Sequence, residues 1–290
     1  MKKQILTFSL GLMSLGLMAQ KSELKAAEKA IKKQDFTTAI TTLNNVEGAV
    51  MMNGEDKYKS KFYFLKGKAL AAKKDYKNSA VAFNELLAMK ESKYSEQAKP
   101  ILNQMIQEVS DKAINLYNNK KDYKNAADNF YLTYVLSPTD TSFVFNAAVA
   151  ATQAKEYDTA IKYYKELRSV GYTGIQKEYF ATNAETGEEE VLDKANRDLY
   201  VKAKSHIKPG ERLTESKKPE IVKNIALIYV SNGDNEKAIA AMKDARAESP
   251  DDINLLLSEA NVHFKMGNKD EFKRLLEIAT QKDPQNPELQ

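Results

Sequence analysis

Small and large apolar residues recur along this chain at one fixed phase, set by an acidic or amide residue followed by an aromatic. The pairs are Asp35-Phe36, Asp75-Tyr76, Asp122-Tyr123 and Glu156-Tyr157, continued without the aromatic by Asp234-Asn235 and Asn268-Lys269. Three residues after the aromatic position stand Ala39, Ser79, Ala126, Ala160 and Ala238, with Phe272 as the exception. Seven after it stand Leu43, Phe83, Phe130, Tyr164, Met242 and Leu276, and nine before it Ala27, Gly67, Ile114, Ala148, Ala226 and Ala260. Pro138, Pro250 and Pro284 follow fifteen residues after it in three units.

This pattern predicts six helix–turn–helix units. Small residues let two antiparallel helices approach, and large ones fill the groove between them. The acidic or amide residue sits at the turn, where it can cap the free N–H groups of the second helix. Proline beyond that helix cannot continue it. Successive units are 40, 47, 34, 78 and 34 residues apart, and 34 is the period of a helix–turn–helix solenoid.

The best unit, "VKNIALIYVSNGDNEKAIAAMKDARAESP" from Val222 to Pro250, resembles the tetratricopeptide repeat (TPR) family, with Ala226, Tyr229, Gly233, Ala238, Ala245 and Pro250 in family positions. The resemblance extends over nearly all of residues 22–284 apart from one insert. It implies an all-α solenoid of about six repeats in a right-handed superhelix, four within residues 20–170 and two within 219–290.

Departures from the period mark longer connections. "GAVMMNGEDKYKS" reads as a long loop, and "SEQAKPILNQMIQEVSDKAINLYNN" as a first helix of five to six turns with Pro100 near its start. The 78-residue spacing holds an insertion over 171–218. "EYFATNAETGEEEVL" predicts a β-hairpin turning around Asn183–Gly187, "DKANRDLYVKAK" a short helix, and "SHIKPGERLTESKKPE" a polar connector. A segment this long is functional or linker-like in a compact array. Two readings stay open: a decoration that shields a helix surface, and a docking element for a partner.

Composition narrows the classes. The chain has 290 residues, 42% hydrophobic and 29% charged, with 11 Gly and 7 Pro, which suits a helical protein. It has no Cys, so disulfides, a thiol nucleophile and a lipid-bearing cysteine are excluded. The first residues, MKKQ and then the uncharged ILTFSLGLMSLGLM, have the form of a secretory signal over 1–19. Its Ala19-Gln20 end resembles those common in secretory proteins of the Bacteroidota. The expectation is therefore an exported, periplasmic protein starting near Gln20, with no direct membrane span once the signal is removed. Losing Lys2 and Lys3 lowers the formal charge from +4 to +2, which gives no reason to propose nucleic acid as a partner.

Residue patterns that carry chemistry are scarce. His206 and His263 lack metal-ligand spacing, no phosphate-loop or nucleophile-elbow motif occurs, and the acidic run at Glu185 and Glu188–Glu190 lacks the alternating calcium-loop pattern. No cofactor or metal is expected, and the chain reads as no enzyme. Lysines 57, 59, 61, 66, 68, 73, 74 and 77 make the second unit's first helix basic, and those at 59, 66 and 73 form a stripe that suits an acidic partner, anionic head groups or a solvated face.

In the TPR family, peptides usually lie along the concave surface of the first helices, on residues 12, 11 and 8 before the turn aromatic. Carried over by position, the resemblance gives Asp111, Lys112 and Asn115 in unit three and Phe145, Asn146 and Val149 in unit four. Units five and six give Lys223, Asn224 and Leu227, then Leu257, Ser258 and Asn261. Asn115 followed by Asn146 resembles the asparagine pair that holds an extended backbone, since an amide both donates and accepts. The chaperone-binding carboxylate clamp is not reproduced, because Asp111 stands where it needs a cation. The expected function is a non-enzymatic scaffold for protein or peptide partners, in an envelope assembly or secretion complex, as a monomer or peripheral subunit. The alternative is a self-associating structural envelope protein.

Overall fold

The computed structural model describes residues 20–89 and 93–285, so the signal expected over 1–19 lies outside the described residues. The chain divides into two compact units, one up to Ala150 and one from Ala151 onward. The first holds α1 (20–32), α2 (Phe36–Asn53), α3 (Asp56–Ala72), α4 (Tyr76–Ala88), α5 (Lys93–Asn115) and α6 (Tyr123–Leu136). Helix α7 (Ser142–Gln153) contains the boundary.

Each turn between paired helices has one construction. The first helix ends on a residue in the left-handed region: Gln34, Lys74, Lys121, Lys155, Gly233 and Gly267, with φ between 56° and 79°. The next residue caps the second helix. Asp35, Asp75, Asp122 and Asp234 accept from the backbone N–H three residues on, whereas Glu156 and Asn268 make no such side-chain bond. Beyond the cap, Ala39, Ser79, Ala126, Ala160 and Ala238 are fully buried, while Phe272 is half-buried. Ser79 sits where alanine is otherwise used because its Oγ donates to the Gly67 carbonyl at 2.8 Å. A methyl group on Gly67 would come within 2.6 Å of the Phe83 ring, so close packing of α3 on α4 requires glycine there.

Two expectations in this unit are corrected. The stretch read as a long loop is helical: α2 runs to Asn53, because Val46 and Val50 keep its core stripe and Gly54 N–H closes on Val50 O at 2.9 Å. The second concerns register. α5 ends in a π-helical turn, Leu116–Lys120, so Asp122 N–H reaches back six residues to Leu116 O. In the other two pairs of this unit the reach is five residues, Asp35 to Ala30 and Asp75 to Leu70. One extra residue is thereby absorbed. The small packing slot falls to Ala113, at 0% exposure, and Ile114 is turned outward at 46%.

The second unit holds α8 (Tyr157–Ser169), the insertion, then α10 (Lys218–Ser231), α11 (Asn235–Glu248), α12 (Ile253–Lys265) and α13 (Lys269–Lys282). The insertion is β1 (Lys177–Asn183), β2 (Glu189–Leu192), α9 (Lys194–Lys202) and β3 (His206–Leu213). The hairpin β1–β2 and the short helix agree with expectation, but the stretch read as a connector is a third strand. The sheet order is β2-β1-β3, antiparallel throughout, with Tyr179 opposite both Leu192 and Glu211. An irregularity beside Ala181 accommodates Lys208 at φ +50° and Pro209 on the edge strand. The base of the insertion is shut: Lys217 N–H donates to Thr173 O at 2.6 Å and Thr214 N–H to Gln176 O at 2.8 Å.

The repeats are therefore all-α helix–turn–helix units carrying a small sheet. No helix among the described residues is long and apolar enough to cross a membrane.

Candidate binding surfaces

Within the first unit, α3 and α5 frame a cavity of about 320 Å³ lined by Lys68, Lys74, Tyr76, Ile101, Gln104 and Glu108, among others. Lys68 lies eight residues before Tyr76, the position carried over as groove-facing in other units. The Tyr76 hydroxyl donates to Glu108, and Gln104 Nε2 donates to the same carboxylate at 2.9 Å. Burial, reinforced by the Glu108 carboxylate, pushes the Tyr76 phenol up to about 12. The same bond from Tyr76, with Gln104 and the field of Lys74, lowers Glu108. Glu108 is thus held ionised by Tyr76 and Gln104, in a cleft that Lys68 and Lys74 also line. A cleft with apolar walls and a few fixed polar groups is the usual form of a site for a short ligand segment.

Asp111 continues the α5 line that runs through Gln104 and Glu108, and is exposed. Asn115 is exposed too, but the π turn displaces it by one residue from the position carried over for it; Ile114 occupies that position. On α7, Asn146 is exposed and Phe145 and Val149 are half-buried.

In the second unit, Lys223 is half-buried on α10, and Asn224 Nδ2 donates to the buried Tyr164 hydroxyl at 3.0 Å. Leu227 packs against the α10–α12 core, Leu257 is buried in the α12–α13 core, and Asn261 is exposed. One amide donor of Asn224 is therefore spent inside the fold.

Sequence reasoning counted Lys68 and Lys74 only as part of a basic helix, and it missed Gln104 and Glu108. Extending the same spacing to unit two reaches Lys68. Glu108 carries no sequence signal, because its role comes from Tyr76 of the preceding unit.

Other candidates resolve into structure. His206 is buried in the insertion, stacked on Tyr200, with Nε2 3.1 Å from Glu190 and Nδ1 3.2 Å from Ser205 Oγ. His263 is buried with Nδ1 3.3 Å from the Asn268 amide. Of the acidic run, Glu189 pairs with Arg212 and Glu190 with Asn183 and His206, leaving Glu185 and Glu188 on the surface. The lysine stripe is broken by Lys66, which pairs with Glu47 at 2.8 Å. Among the described residues no group of His, Asp and Glu could hold a metal ion.

Residues 229–290 match the tetratricopeptide repeat family model. No curated protein matches the chain. Among solved structures, the chain is similar to PilW, described as a widely conserved type IV pilus biogenesis factor: 13% identity, TM-score 0.38, covering 93% of this chain and 96% of that one. It is also similar to YrrB, described as a TPR protein with an unusual peptide-binding site, at 12% identity and TM-score 0.35 over 84% and 94%. MamA is matched at 14% and 0.36 over 75% and 94%. Likeness at this level carries no weight for function. The repeat character rests on the chain's own turns and on the tetratricopeptide match over its last two units.

Proposed function

We propose that the chain is a non-enzymatic, exported repeat scaffold that holds segments of partner proteins against the exposed faces of its first helices, in the periplasm and in the service of an envelope assembly or secretion complex. The observation that carries this reading is the α3–α5 cavity, where Lys68, Lys74, Gln104 and Glu108 converge on a cleft in line with Asp111 and Ile114. Rigid repeats suit extended recognition better than catalysis. In the first unit, Ile114 supplies an apolar contact and Asn146 a polar one at the family positions; the second unit, taken by itself, offers Lys223 and Asn261 at its own.

The test is capture of partners from an envelope extract by the wild-type protein and by Lys68→Ala/Gln104→Ala and Asn146→Ala/Asn224→Ala. Loss of partner bands with an unchanged melting curve is the expected result for the first pair. Undiminished capture by both pairs contradicts the groove. The N-terminal sequence of the secreted protein, expected at or near Gln20, tests export separately.

A second reading, self-association, is favoured by Phe264, which is 54% exposed and 5.2 Å from Phe272 at the last repeat. Light scattering across concentrations separates the two: a monomer throughout removes self-association.

A further inference from the structure

The first unit has another cleft, on the opposite side of α3. Tyr63, Lys66 and Leu70 lie about half a helical turn around from Lys68, Ala71 and Ala72. Here α2 and α4 part above α3 and enclose a cavity of about 330 Å³. Its walls are apolar: Ile40, Leu70, Ala82 and Val81, the last 55% exposed. Its polar groups are Asn44, Asn78 and the carboxylates of Glu47 and Asp75, the last already accepting from the N–H and the side-chain amide of Asn78. One cation, Lys66, is already committed, with Nζ 2.8 Å from Glu47 Oε2 and lying over the Phe62 ring. Burial raises the Tyr63 phenol first, and the fields of Glu85, one turn beyond Val81, and of Glu47 add to the rise.

We propose that this cleft binds an alkylammonium group, the side chain of a lysine in a partner segment, with its aliphatic stem between Ile40 and Val81 and its charge shared by Glu47 and Asp75. Two carboxylates, Glu47 and Asp75, line the cleft against one ammonium, Lys66, so a second cation completes the balance, whereas an anion meets repulsion. The apolar walls suit a four-carbon stem carrying a charged head. Asn44 lines the cleft where its amide can meet the partner's backbone, while the Asn78 amide donates to Asp75 at 2.8 Å. The site is independent of the α3–α5 groove, and either can fail alone.

The experiment is an NMR titration of the protein with blocked lysine (Nα-acetyl-lysine methylamide), blocked norleucine and pentylamine. Expected are shifts confined to Asn44, Asn78 and Val81, with blocked lysine binding about tenfold more tightly than blocked norleucine, the size of one charge-assisted contact. Val81→Lys, at an exposed position, places a tethered ammonium in the cleft and is expected to abolish the shifts without lowering the melting temperature. Glu47→Gln is expected to weaken binding several-fold. Blocked lysine binding more tightly than pentylamine assigns the site to a partner's side chain; pentylamine binding equally well keeps the cation site but overturns the partner-segment assignment. Equal binding of lysine and norleucine, or shifts that survive in Val81→Lys, overturns the site itself.

Discussion

Helices α4 and α9 start alike and end up held by different forces. Asp75 and Asp193 both cap with their carboxylates, each followed three residues on by an asparagine that bonds back. Yet α4 buries Ser79, Ala80, Ala82, Phe83 and Leu86, whereas α9 buries no residue. The insertion is fastened instead by polar and aromatic contacts. Arg197 donates to Gly210 O at 3.1 Å and lies over Tyr179, and Arg212 covers Phe180 while pairing with Glu178 and Glu189. Local turn chemistry is thus shared, and what differs is how much apolar surface follows the turn. Burial stabilises the repeats by roughly 25 cal/mol per Å², while exposed ion pairs contribute about 0–1 kcal/mol each. The insertion should therefore open locally well before the repeats do.

The sharpest way to break that contrast is to truncate one phenylalanine in each region. Phe83→Ala is expected to cost about 3–5 kcal/mol in denaturant melts, because its fully buried ring leaves a cavity. Phe180→Ala should loosen only the sheet, seen as faster amide exchange over 177–213 with the main helical transition in place. Gly67→Ala should cost about 1–3 kcal/mol through its clash with the Phe83 ring. Excising 174–216 and joining Thr173 to Lys217 through one glycine should leave helical melting within about 1 kcal/mol, since those residues already bond at 2.6 Å. Loss of the repeats on excision would show that the sheet is structural.

Smaller effects probe the turns. Lys74→Gly and Lys121→Gly, both at left-handed φ, should each stabilise by up to about 1 kcal/mol. The Tyr76 phenol is raised from 10.0 to about 12 in the folded state, so its contribution is present below about pH 10 and is lost as pH rises toward 12. Tyr76→Phe should flatten the fall of melting temperature over that window.

Most of the repeat architecture was legible because cap, small residue and large residue recur in phase, and each has a local physical cause. The failures are equally specific. Nothing in "LYNNKKDY" marks one extra residue in the helical path, so Ala113 took the packing slot expected of Ile114, and Ile114 the groove position expected of Asn115. Gly48 resembles a loop signal, yet the buried stripe of Val46 and Val50 carries α2 through it, and only Gly54 ends the helix. Strand β3 was hidden by Pro209 and its charges, which an edge strand tolerates. Spacing also picked out Asp111, Asn146 and Asn261, which are exposed on their helices. The Tyr76–Glu108 contact was not reachable by spacing, since it joins residues 32 apart across two repeats.

The central claim is that partners lie in the groove of the first helices. Photo-crosslinking in the native cell, from probes placed singly at Gln104, Asn146 and the insertion's Thr182, tests it most directly. Adducts with the same partner from Gln104 and Asn146, mapped by mass spectrometry to one short extended segment, are the expected result. Adducts from Thr182 alone, with Gln104 and Asn146 at background, would contradict the account and move the binding surface to the sheet.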